Sequence, residues 1–447
     1  MAIFRLLSRR FVTVIADLRL AILLLLLIAV FSITGTIIEQ NQPLDFYRQS
    51  YPEKPALFGF LTWKLLIFLG LDHVYTTWWY LTLLFLFGTS LTACTFKRQL
   101  PALKAARMWQ YYDNPRQFNK LAFSFQLRGV SLREVESVLR QNGYRIYRND
   151  HCIYAQKGLV GRIGPIVVHL GIIIILMGAM WGAFTGFLAQ EIIASGQTFT
   201  INNLLYVGRF ANLDKAKSFQ VKVNKFWIDY RPDGSVDQFY SRLSIITKDG
   251  SVLPEKTIYV NHPLRYNGIT FYQTSWTIAG VKFQLNNSPI LQLPMAELTT
   301  ENGGKIWGTW IPTSPDLSKG ISLIVRDLQG TVFLYGMDGS LLQVTRLNTP
   351  TRVDGITLKI VDIIGATGLQ IKSDPGVPIV YLGFAILMAG VVMSYVSFSQ
   401  IWGFHQDDIV YFGGKTNRAQ VAFEIEINKI VGDLSVGRMA TLSVENI

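Results

Sequence analysis

Four long apolar runs interrupt the chain, and each has the roughly 20 residues that a helix needs to cross the hydrocarbon core of a bilayer. They cover residues 20–38, 78–96, 163–187 and 377–398. A fifth apolar stretch, residues 55–71, contains Gly59 and Lys64 and follows Pro52. We predict that the four runs span a membrane and that the fifth forms an interfacial helix at its surface.

Residues 188–376 have a different pattern, in which short segments alternate apolar and polar side chains. Phe219-Gln-Val-Lys-Val and Ile269-Thr-Phe-Tyr-Gln are examples. Pro232-Asp-Gly, Lys248-Asp-Gly and Met337-Asp-Gly separate such segments and favour tight turns. The predicted fold class is therefore a membrane α-helical protein with four transmembrane helices and a large extra-cytoplasmic antiparallel β-rich domain.

The polar segment between the second and third spans is predicted to fold as an α+β loop. Phe123-Ser-Phe-Gln-Leu has the pattern of a strand, and Ser131 with Glu134 forms a capping box for a helix that ends at Gly143. In the tail, a short strand, a turn at Gly413-Gly414 and an amphipathic helix are expected. Gly413-Gly-Lys-Thr lacks the earlier glycine of a phosphate loop, so nucleotide binding is rejected. The predicted boundaries are 1–38, 39–77, 78–96, 97–162, 163–187, 188–376, 377–398 and 399–447.

Charge gives the expected orientation. Half of the 447 residues are hydrophobic and 16% are charged, yet the formal net charge is +12. Arg5, Arg9 and Arg10 precede the first span, and residues 97–162 hold thirteen Lys and Arg against four Asp and Glu. By the positive-inside rule these segments and the tail face the cytoplasm or the plastid stroma, and residues 39–77 and 188–376 lie outside. A role in topology explains the basic residues better than a specific ligand role does.

The N-terminal run has no small-residue cleavage site, so we predict a retained helix and not a signal peptide. The two cysteines, Cys94 and Cys152, are too few for a disulfide framework or a zinc cluster. Any thiol chemistry would come from a partner, such as a thiol-reducing thioredoxin-like protein. No nucleophile motif or metal-ligand spacing of histidines is found.

His169 is the strongest candidate for chemistry, because an imidazole within a membrane span is costly and usually has a functional partner. It follows Arg162 by about two helical turns. It could serve as an axial haem ligand, a proton relay or an interhelical hydrogen-bond partner. Gly164, Gly171 and Gly178 recur every seven residues and mark either a close-packing face or one that admits a cofactor.

Several segments along the chain have distinctive motifs. They are Asp17-Leu-Arg-Leu-Ala, Gly70-Leu-Asp-His-Val-Tyr-Thr-Thr-Trp-Trp, Gly161-Arg-Ile-Gly-Pro-Ile-Val-Val-His-Leu-Gly, Val260-Asn-His-Pro-Leu-Arg-Tyr-Asn-Gly-Ile-Thr-Phe-Tyr-Gln-Thr-Ser-Trp, Lys372-Ser-Asp-Pro-Gly, Gln400-Ile-Trp and Gly413-Gly-Lys-Thr-Asn-Arg-Ala. Through these motifs, and over nearly its whole length, the sequence resembles the ResB/CcsB family, the membrane subunit of the System II route of cytochrome c maturation.

The resemblance implies a co-catalytic subunit of a haem lyase complex, acting with a CcsA/ResC-type membrane partner on an apocytochrome c. In that role His169 would be an axial ligand of transiently held haem b and would share the iron with a histidine of the partner. Lys372 and Asp374 match a family motif at the outer membrane edge, and would position the apocytochrome or the haem propionates, or only anchor the fourth span. Further candidates from the family stretch are Asn261, Pro263, Tyr272 and Trp276.

Phe398 departs from the family pattern, because photosynthetic relatives often have histidine there, and this weakens a ligand role for the fourth span. The implied location is a thylakoid membrane, with a bacterial plasma membrane as the alternative. On pattern alone, core packing explains the aromatic residues of 257–276 better than ligand contact. A membrane-anchored sensor with an extra-cytoplasmic β domain is the alternative function, and a transporter is disfavoured because no repeat or broken helix is found.

Overall fold

The computed structural model describes residues 13–57, 59–300, 304–314, 317–353, 355–435 and 440–441. Arg5, Arg9 and Arg10, on which part of the predicted orientation depends, lie outside the described residues. The chain divides into two compact units, one of residues 1–40, 73–180 and 376–447, and one of residues 41–72 and 181–375.

The helices are α1 (Leu18–Ile37), α2 (Leu44–Ser50), α3 (Trp63–Leu69), α4 (Trp78–Cys94), α5 (Leu100–Arg107), α6 (Pro115–Phe118), α7 (Leu132–Gln141), α8 (Val160–Thr185), α9 (Val377–Tyr395) and α10 (Gln420–Ser435). The strands are β1 (Phe123–Arg128), β2 (Arg145–Arg148), β3 (Cys152–Lys157), β4 (Phe187–Ala194), β5 (Thr198–Phe199), β6 (Leu204–Val207), β7 (Phe219–Tyr230), β8 (Val236–Thr247), β9 (Lys256–Tyr259), β10 (Leu264–Tyr266), β11 (Ile269–Leu285), β12 (Leu291–Pro294), β13 (Ala296–Thr299), β14 (Lys305–Pro312), β15 (Gly320–Val325), β16 (Thr331–Tyr335), β17 (Leu341–Arg346), β18 (Thr351–Val353), β19 (Ile356–Ser373), β20 (Ser399–Gln406), β21 (Ile409–Thr416) and β22 (Ala440–Thr441).

Within the described residues, four helical segments are long and apolar enough to cross a membrane, which confirms the predicted fold class. The second is longer than predicted, since it runs from α4 through a π-helical turn at Thr95–Gln99 into α5 and ends at Arg107. The fourth ends at Tyr395, three residues before the predicted boundary. Beyond it, Arg418 donates to the carbonyl of Ser394 and Asn417 accepts from the amide of Phe398, so side chains satisfy the backbone that leaves the helix.

The spanning helices pack through hydroxyl groups and glycines, as is usual in a bilayer. Ser32 of α1 lies 2.9 Å from the hydroxyl of Tyr80 in α4. Gly171 of α8 faces the backbone of Leu387 in α9, and a Cβ at Gly171 would lie only 2.6 Å from that backbone nitrogen. The seven-residue glycine series is therefore a close-packing face against α9.

One six-stranded antiparallel sheet combines the predicted loop and the tail, in the order β2-β3-β20-β21-β1-β22. Helices α7 and α10 cover its core, which includes Val135, Leu139 and Ile427. The predicted capping box of Ser131 and Glu134 is present at the start of α7. The two segments, which we predicted as separate elements, are thus parts of one folded module.

The prediction of a turn at Gly413-Gly414 is wrong, because both glycines lie inside β21. They pair with Trp402 and Ile401 of β20. A Cβ at Gly413 would lie 2.6 Å from the carbonyl oxygen of Phe123 in β1, so the central strand has no room there for a side chain. The chain reverses instead at Asp407, whose φ is 55°.

The other unit contains three antiparallel sheets of seven, five and four strands. Strands β11 and β19 form its longest pairing, and three register shifts divide that ladder. Two separate hydrophobic cores lie along it, one around Phe271 and Ile371 and one around Val281 and Ile321. The turns predicted at Pro232-Asp-Gly, Lys248-Asp-Gly and Met337-Asp-Gly are confirmed, and the glycine of each has a positive φ.

Residues 55–71 are helical only over α3, so the predicted helix begins at Trp63 and not at the start of that stretch. Gly59, with a φ of 80°, lies in the turns that precede α3. Thr62 then caps the helix by accepting from the amide of Leu65. The interfacial location of this helix stays a prediction.

Candidate functional site

His169 lies in the middle of α8, where both ring nitrogens have polar neighbours from the second spanning segment. Nδ1 is 3.0 Å from Oγ1 of Thr95, and Nε2 is 3.1 Å from Nε2 of Gln99. The imidazole is half-buried. An interhelical hydrogen-bond partner is therefore present, and the question is which protonation state these contacts favour.

The hydrogen-bond network favours one neutral tautomer. The Thr95 hydroxyl donates to the carbonyl of Leu91 at 2.9 Å, so its oxygen is left to accept from Nδ1–H of His169. The Gln99 amide then donates to Nε2, which carries the lone pair. A histidine whose Nδ1–H is held by the protein and whose Nε2 is basic is the form that ligates a metal.

Thr95 and Gln99 lie at the two ends of a π-helical turn. Pro101 lacks an amide proton and its ring would clash with the carbonyl of Lys97 in a regular α-helix, which the π-helical turn Thr95–Gln99 relieves. Residues four apart share one face of a helix, so both side chains reach the imidazole. Such π turns occur frequently at functional sites.

Gln99 is incompletely satisfied in this position. Its Oε1 atom is buried and has no hydrogen-bond partner among the described residues, while its amide nitrogen covers Nε2 of His169. A buried polar atom without a partner is destabilising. The Gln99 contact that occupies the Nε2 lone pair of His169 therefore leaves a buried oxygen unsatisfied, so a ligand could displace the Gln99 amide at a small loss of stability.

The glycine face and His169 lie on different sides of α8. At about 100° per residue, His169 is rotated roughly 150° from the line of Gly164 and Gly171. The glycines contact α9, as Gly390 and Gly383 of that helix show by their equally close approach to Val168 and Ile175. One face of α8 therefore fixes the helix, and the other presents the imidazole.

In the other unit, Lys372 and Asp374 form an ion pair with 3.0 Å between Nζ and Oδ2. Lys372 pairs with Thr270 and Tyr272 pairs with Gln370, so Lys372 and Tyr272 are diagonal neighbours on the face of β11 and β19 that points away from the core. Asp374 also approaches Gly182. These residues form a partly exposed polar group at the ends of α8 and β19.

The remaining candidates have structural surroundings of two kinds. Asn261 has a φ of 66° and lies in an exposed turn, and the carbonyl of Pro263 accepts from Lys256 at 2.9 Å. Trp276 packs against Trp307 with 5.0 Å between ring centroids. Of the aromatic residues of 257–276, Phe271 is fully buried, Tyr266 and Trp276 pack against the two cores, and Tyr259 is exposed. Core packing therefore accounts for part of this set. The structure therefore places Tyr272 beside Lys372, whereas Asn261 and Trp276 lie in separate surroundings.

Within the described ranges, no group of three His, Cys, Asp or Glu side chains could hold a metal ion. Cys94 and Cys152 are free thiols. The aromatic ring of His262 stacks on Tyr259, and the backbone amide of His405 donates to the carbonyl of His151. Among the described histidines, His169 alone lies inside a spanning segment.

The chain matches the model of the ResB-like family over residues 18–313 and 290–428. The protein named "Cytochrome c biogenesis protein CcsB" of Microcystis aeruginosa is 61% identical over 420 residues, which are 94% of each chain. Proteins of the same name from Crocosphaera subtropica and Trichormus variabilis are each 58% identical, over 95% and 96% of this chain and 94% and 93% of theirs. The chain belongs to the ResB-like family. The resemblance drawn from its motifs is thereby confirmed, and these relatives are cyanobacterial.

Sequence reasoning missed the residues that surround His169. Thr95 and Gln99 stand four apart at the polar end of the second apolar run, a spacing that indicates a shared helix face. That signal was available, but it does not show which neighbouring helix the face meets. The cavity lined by Arg162, Phe398 and Trp402 was also missed, because Arg162 is distant in the sequence from the other two residues.

Proposed function

We propose that this membrane protein of the ResB-like family is a subunit of the System II cytochrome c synthase. Its relatives are named for cytochrome c biogenesis, and they match it over nearly their whole length. In this role it carries haem b, as substrate, to the outer side of the membrane with a CcsA/ResC-type partner. The complex attaches the haem to an apocytochrome c, and this chain acts as a co-catalytic subunit and not as an enzyme alone.

The observation that carries the proposal is the setting of His169. Its neutral imidazole is fixed through Nδ1 by Thr95, and its Nε2 lone pair is covered only by Gln99. The Nε2 atom of His169 fits one axial position of a haem iron. Because one histidine supplies one axial position, the second ligand comes from the partner.

The β-rich unit fits the outer-side part of the proposal. Lys372, Asp374 and Tyr272 form its polar group next to the ends of two spanning helices. A lysine there suits a haem propionate or an acidic group of the apocytochrome. We place this unit on the lumenal side of a thylakoid membrane, with the periplasmic side of a plasma membrane as the alternative.

The test is the visible spectrum of the protein purified with its CcsA-type partner, for the wild type, His169→Ala and His405→Ala. We expect a low-spin spectrum in the wild type and in the His405 variant, whose ring lies outside the spans. His169→Ala should lose it and regain it when imidazole is added. Unchanged haem in His169→Ala would refute the ligand role.

A deletion strain separates this function from the sensor alternative. We expect loss of membrane cytochromes c with normal apocytochrome synthesis, measured by haem staining and immunoblotting. A sensor would instead change the amount of apocytochrome transcript or leave cytochromes c intact. Either of these results would contradict the proposed function.

A further inference from the structure

A cavity of about 630 Å³ lies within the first unit, between α5 and three interior strands of the six-stranded sheet. Small-molecule sites usually have volumes of about 300–1,000 Å³. Its walls come from α5, the start of α8, and strands β3, β20 and β21. The volume is therefore sufficient for one compact organic ligand.

The charges around this cavity all have one sign. Lys104, Arg162 and Lys415 line it, and no acidic residue is among the lining side chains. Within the described part of the chain, none of the three forms a salt bridge. The cavity thus favours a ligand with more than one negative charge.

Arg162 is the most informative of these groups. Its Nε atom is buried and finds no hydrogen-bond partner among the described residues, and its guanidinium lies over the ring of Phe398 at 5.4 Å. Burying a charged donor without a partner is destabilising. A carboxylate or phosphate in the cavity would satisfy it, since the guanidinium fork matches both.

The opposite wall is flat and aromatic. Trp402 stacks on Tyr112 with centroids 4.6 Å apart and planes 12° apart, and Tyr154 packs against its edge. The indole donates to the carbonyl of Gln110 at 2.9 Å, and Gln400 donates to the Tyr154 hydroxyl at 2.7 Å. Burial raises the pKa of Tyr154, which keeps this phenol neutral. The ammonium of Lys415 lies over the Trp402 ring, 5.1 Å from its centroid, and the indole is buried. This wall therefore holds one of the three cations in place beside the cavity.

The cavity and the His169 site share the same two segments. Arg162 and His169 are seven residues apart on α8, which places them on one face with about 10 Å between them along the axis. Gln99 contacts His169, and Pro101 and Ala102 immediately after it line the cavity. A ligand in the cavity is thus two helical turns from the imidazole.

We propose that this cavity is a loading site for haem, in which Lys104, Arg162 and Lys415 bind the two propionates before the iron reaches His169. The inference rests on the proposed function and adds to it the place where the substrate binds on the predicted cytoplasmic side. A nucleotide is a poorer fit, because Gly413 and Gly414 lie in a strand and form no phosphate loop. An anionic phospholipid headgroup shares the negative charge, and the experiment distinguishes it from haem.

The experiment uses the full chain with its CcsA-type partner in phosphatidylcholine nanodiscs, with His169→Ala as background so that the axial site is absent. Haem binding is followed by quenching of tryptophan fluorescence and by the Soret band. We expect Lys104→Gln and Lys415→Gln each to weaken haem binding about tenfold. Both side chains are exposed, and because the Lys415 ammonium lies over the Trp402 ring, the fold of each variant is checked by circular dichroism. Arg133→Gln, an exposed arginine of α7 outside the cavity, is the matched control and should bind as the background does.

Haem dimethyl ester, whose propionates are blocked, should bind the background protein at least tenfold more weakly than haem does. The ester should bind the Lys415→Gln variant as it binds the background protein. Equal binding of haem and its ester would overturn the inference, and so would variants that bind haem as the control does. Displacement of haem by phosphatidylglycerol nanodiscs at equal lipid would assign the cavity to a lipid. Failure of the proposed function is separate, because it is read from the His169-dependent low-spin spectrum in the unmutated background.

Discussion

Thr95→Val tests whether Thr95 holds His169 in the form that ligates iron. The change keeps the shape of the side chain and removes the hydroxyl, which accepts from Nδ1–H and donates to the carbonyl of Leu91. Thr92→Val is the matched control on the same helix. Thr92 makes the same kind of bond to the carbonyl of Gly88, at 2.8 Å, but is exposed. The difference between the two variants isolates the contact with His169.

The magnitudes separate the two effects. A single hydrogen bond contributes about 0.5–1.5 kcal/mol to stability, so both variants should remain folded. Losing the group that orients a ligating histidine typically lowers metal affinity about 10–100-fold, which is roughly 1.4–2.8 kcal/mol. We therefore expect haem affinity to fall by that factor in Thr95→Val and to change less than about twofold in Thr92→Val.

The assay is a haem titration of the complex in nanodiscs, read from the low-spin band. Nitrogen-15 NMR of labelled histidine, assigned by the signal lost in a His169→Gln sample, reports the tautomer without any haem. We expect protonated Nδ1 in the wild type and in Thr92→Val, and a mixture of tautomers in Thr95→Val. Equal affinity losses in the two threonine variants, or a protonated Nε2 in the wild type, would refute the reasoning.

Three further predictions concern stability. Gly171→Ala should lower the unfolding free energy by about 1–3 kcal/mol, because the new Cβ would lie 2.6 Å from the backbone of α9. Gly88→Ala should be neutral or stabilising, because its Cβ would lie 3.6 Å from the flexible side chain of Leu176. The unfolding midpoints of the two variants in mixed detergent–SDS micelles make the comparison. A double-mutant cycle of Lys372→Met and Asp374→Asn should give about 0.2–1 kcal/mol of coupling that falls with added salt, since the pair is partly exposed. Gly413→Ala should lower the thermal midpoint measured by circular dichroism, because the neighbouring strand fills that space, and an unchanged midpoint would contradict an interior strand position.

The helices and turns were predictable because their causes are local. About 20 apolar residues need a membrane whatever surrounds them, and the capping box at Ser131 acts within one turn. The Asp-Gly turns likewise depend on adjacent residues alone. The Gly413-Gly414 turn failed for the opposite reason. Glycine is required at 413 because β1 approaches the backbone closely there, and β1 is nearly 300 residues away in sequence.

The site was predictable only in its central residue. His169 is conspicuous because an imidazole is rare in a span, but its partners depend on which face of the second spanning segment meets α8. Thr95 and Gln99 lie in a π turn that precedes Pro101, a residue that pattern analysis treats only as a helix boundary. The cavity required Phe398 and Trp402 to reach Arg162 across the fold.

The two faces of α8 restrict how the lone pair of His169 can be uncovered. The glycine face contacts α9 backbone to backbone, so sliding α8 would break many close contacts at once. Gln99, which covers the lone pair, lies in the π turn, where the amide of Leu100 bonds to the carbonyl of Thr95 and the regular α-helical hydrogen bonding is interrupted. Because α5 follows this turn and also lines the cavity, a ligand that draws Lys104 inward would move the segment that carries Gln99. A ligand shifts a conformational equilibrium only through different affinities for the two states, and on the proposed route the propionates would supply that difference. Loading of the cavity would then favour uncovering of Nε2, because one helix segment carries both Lys104 and Gln99.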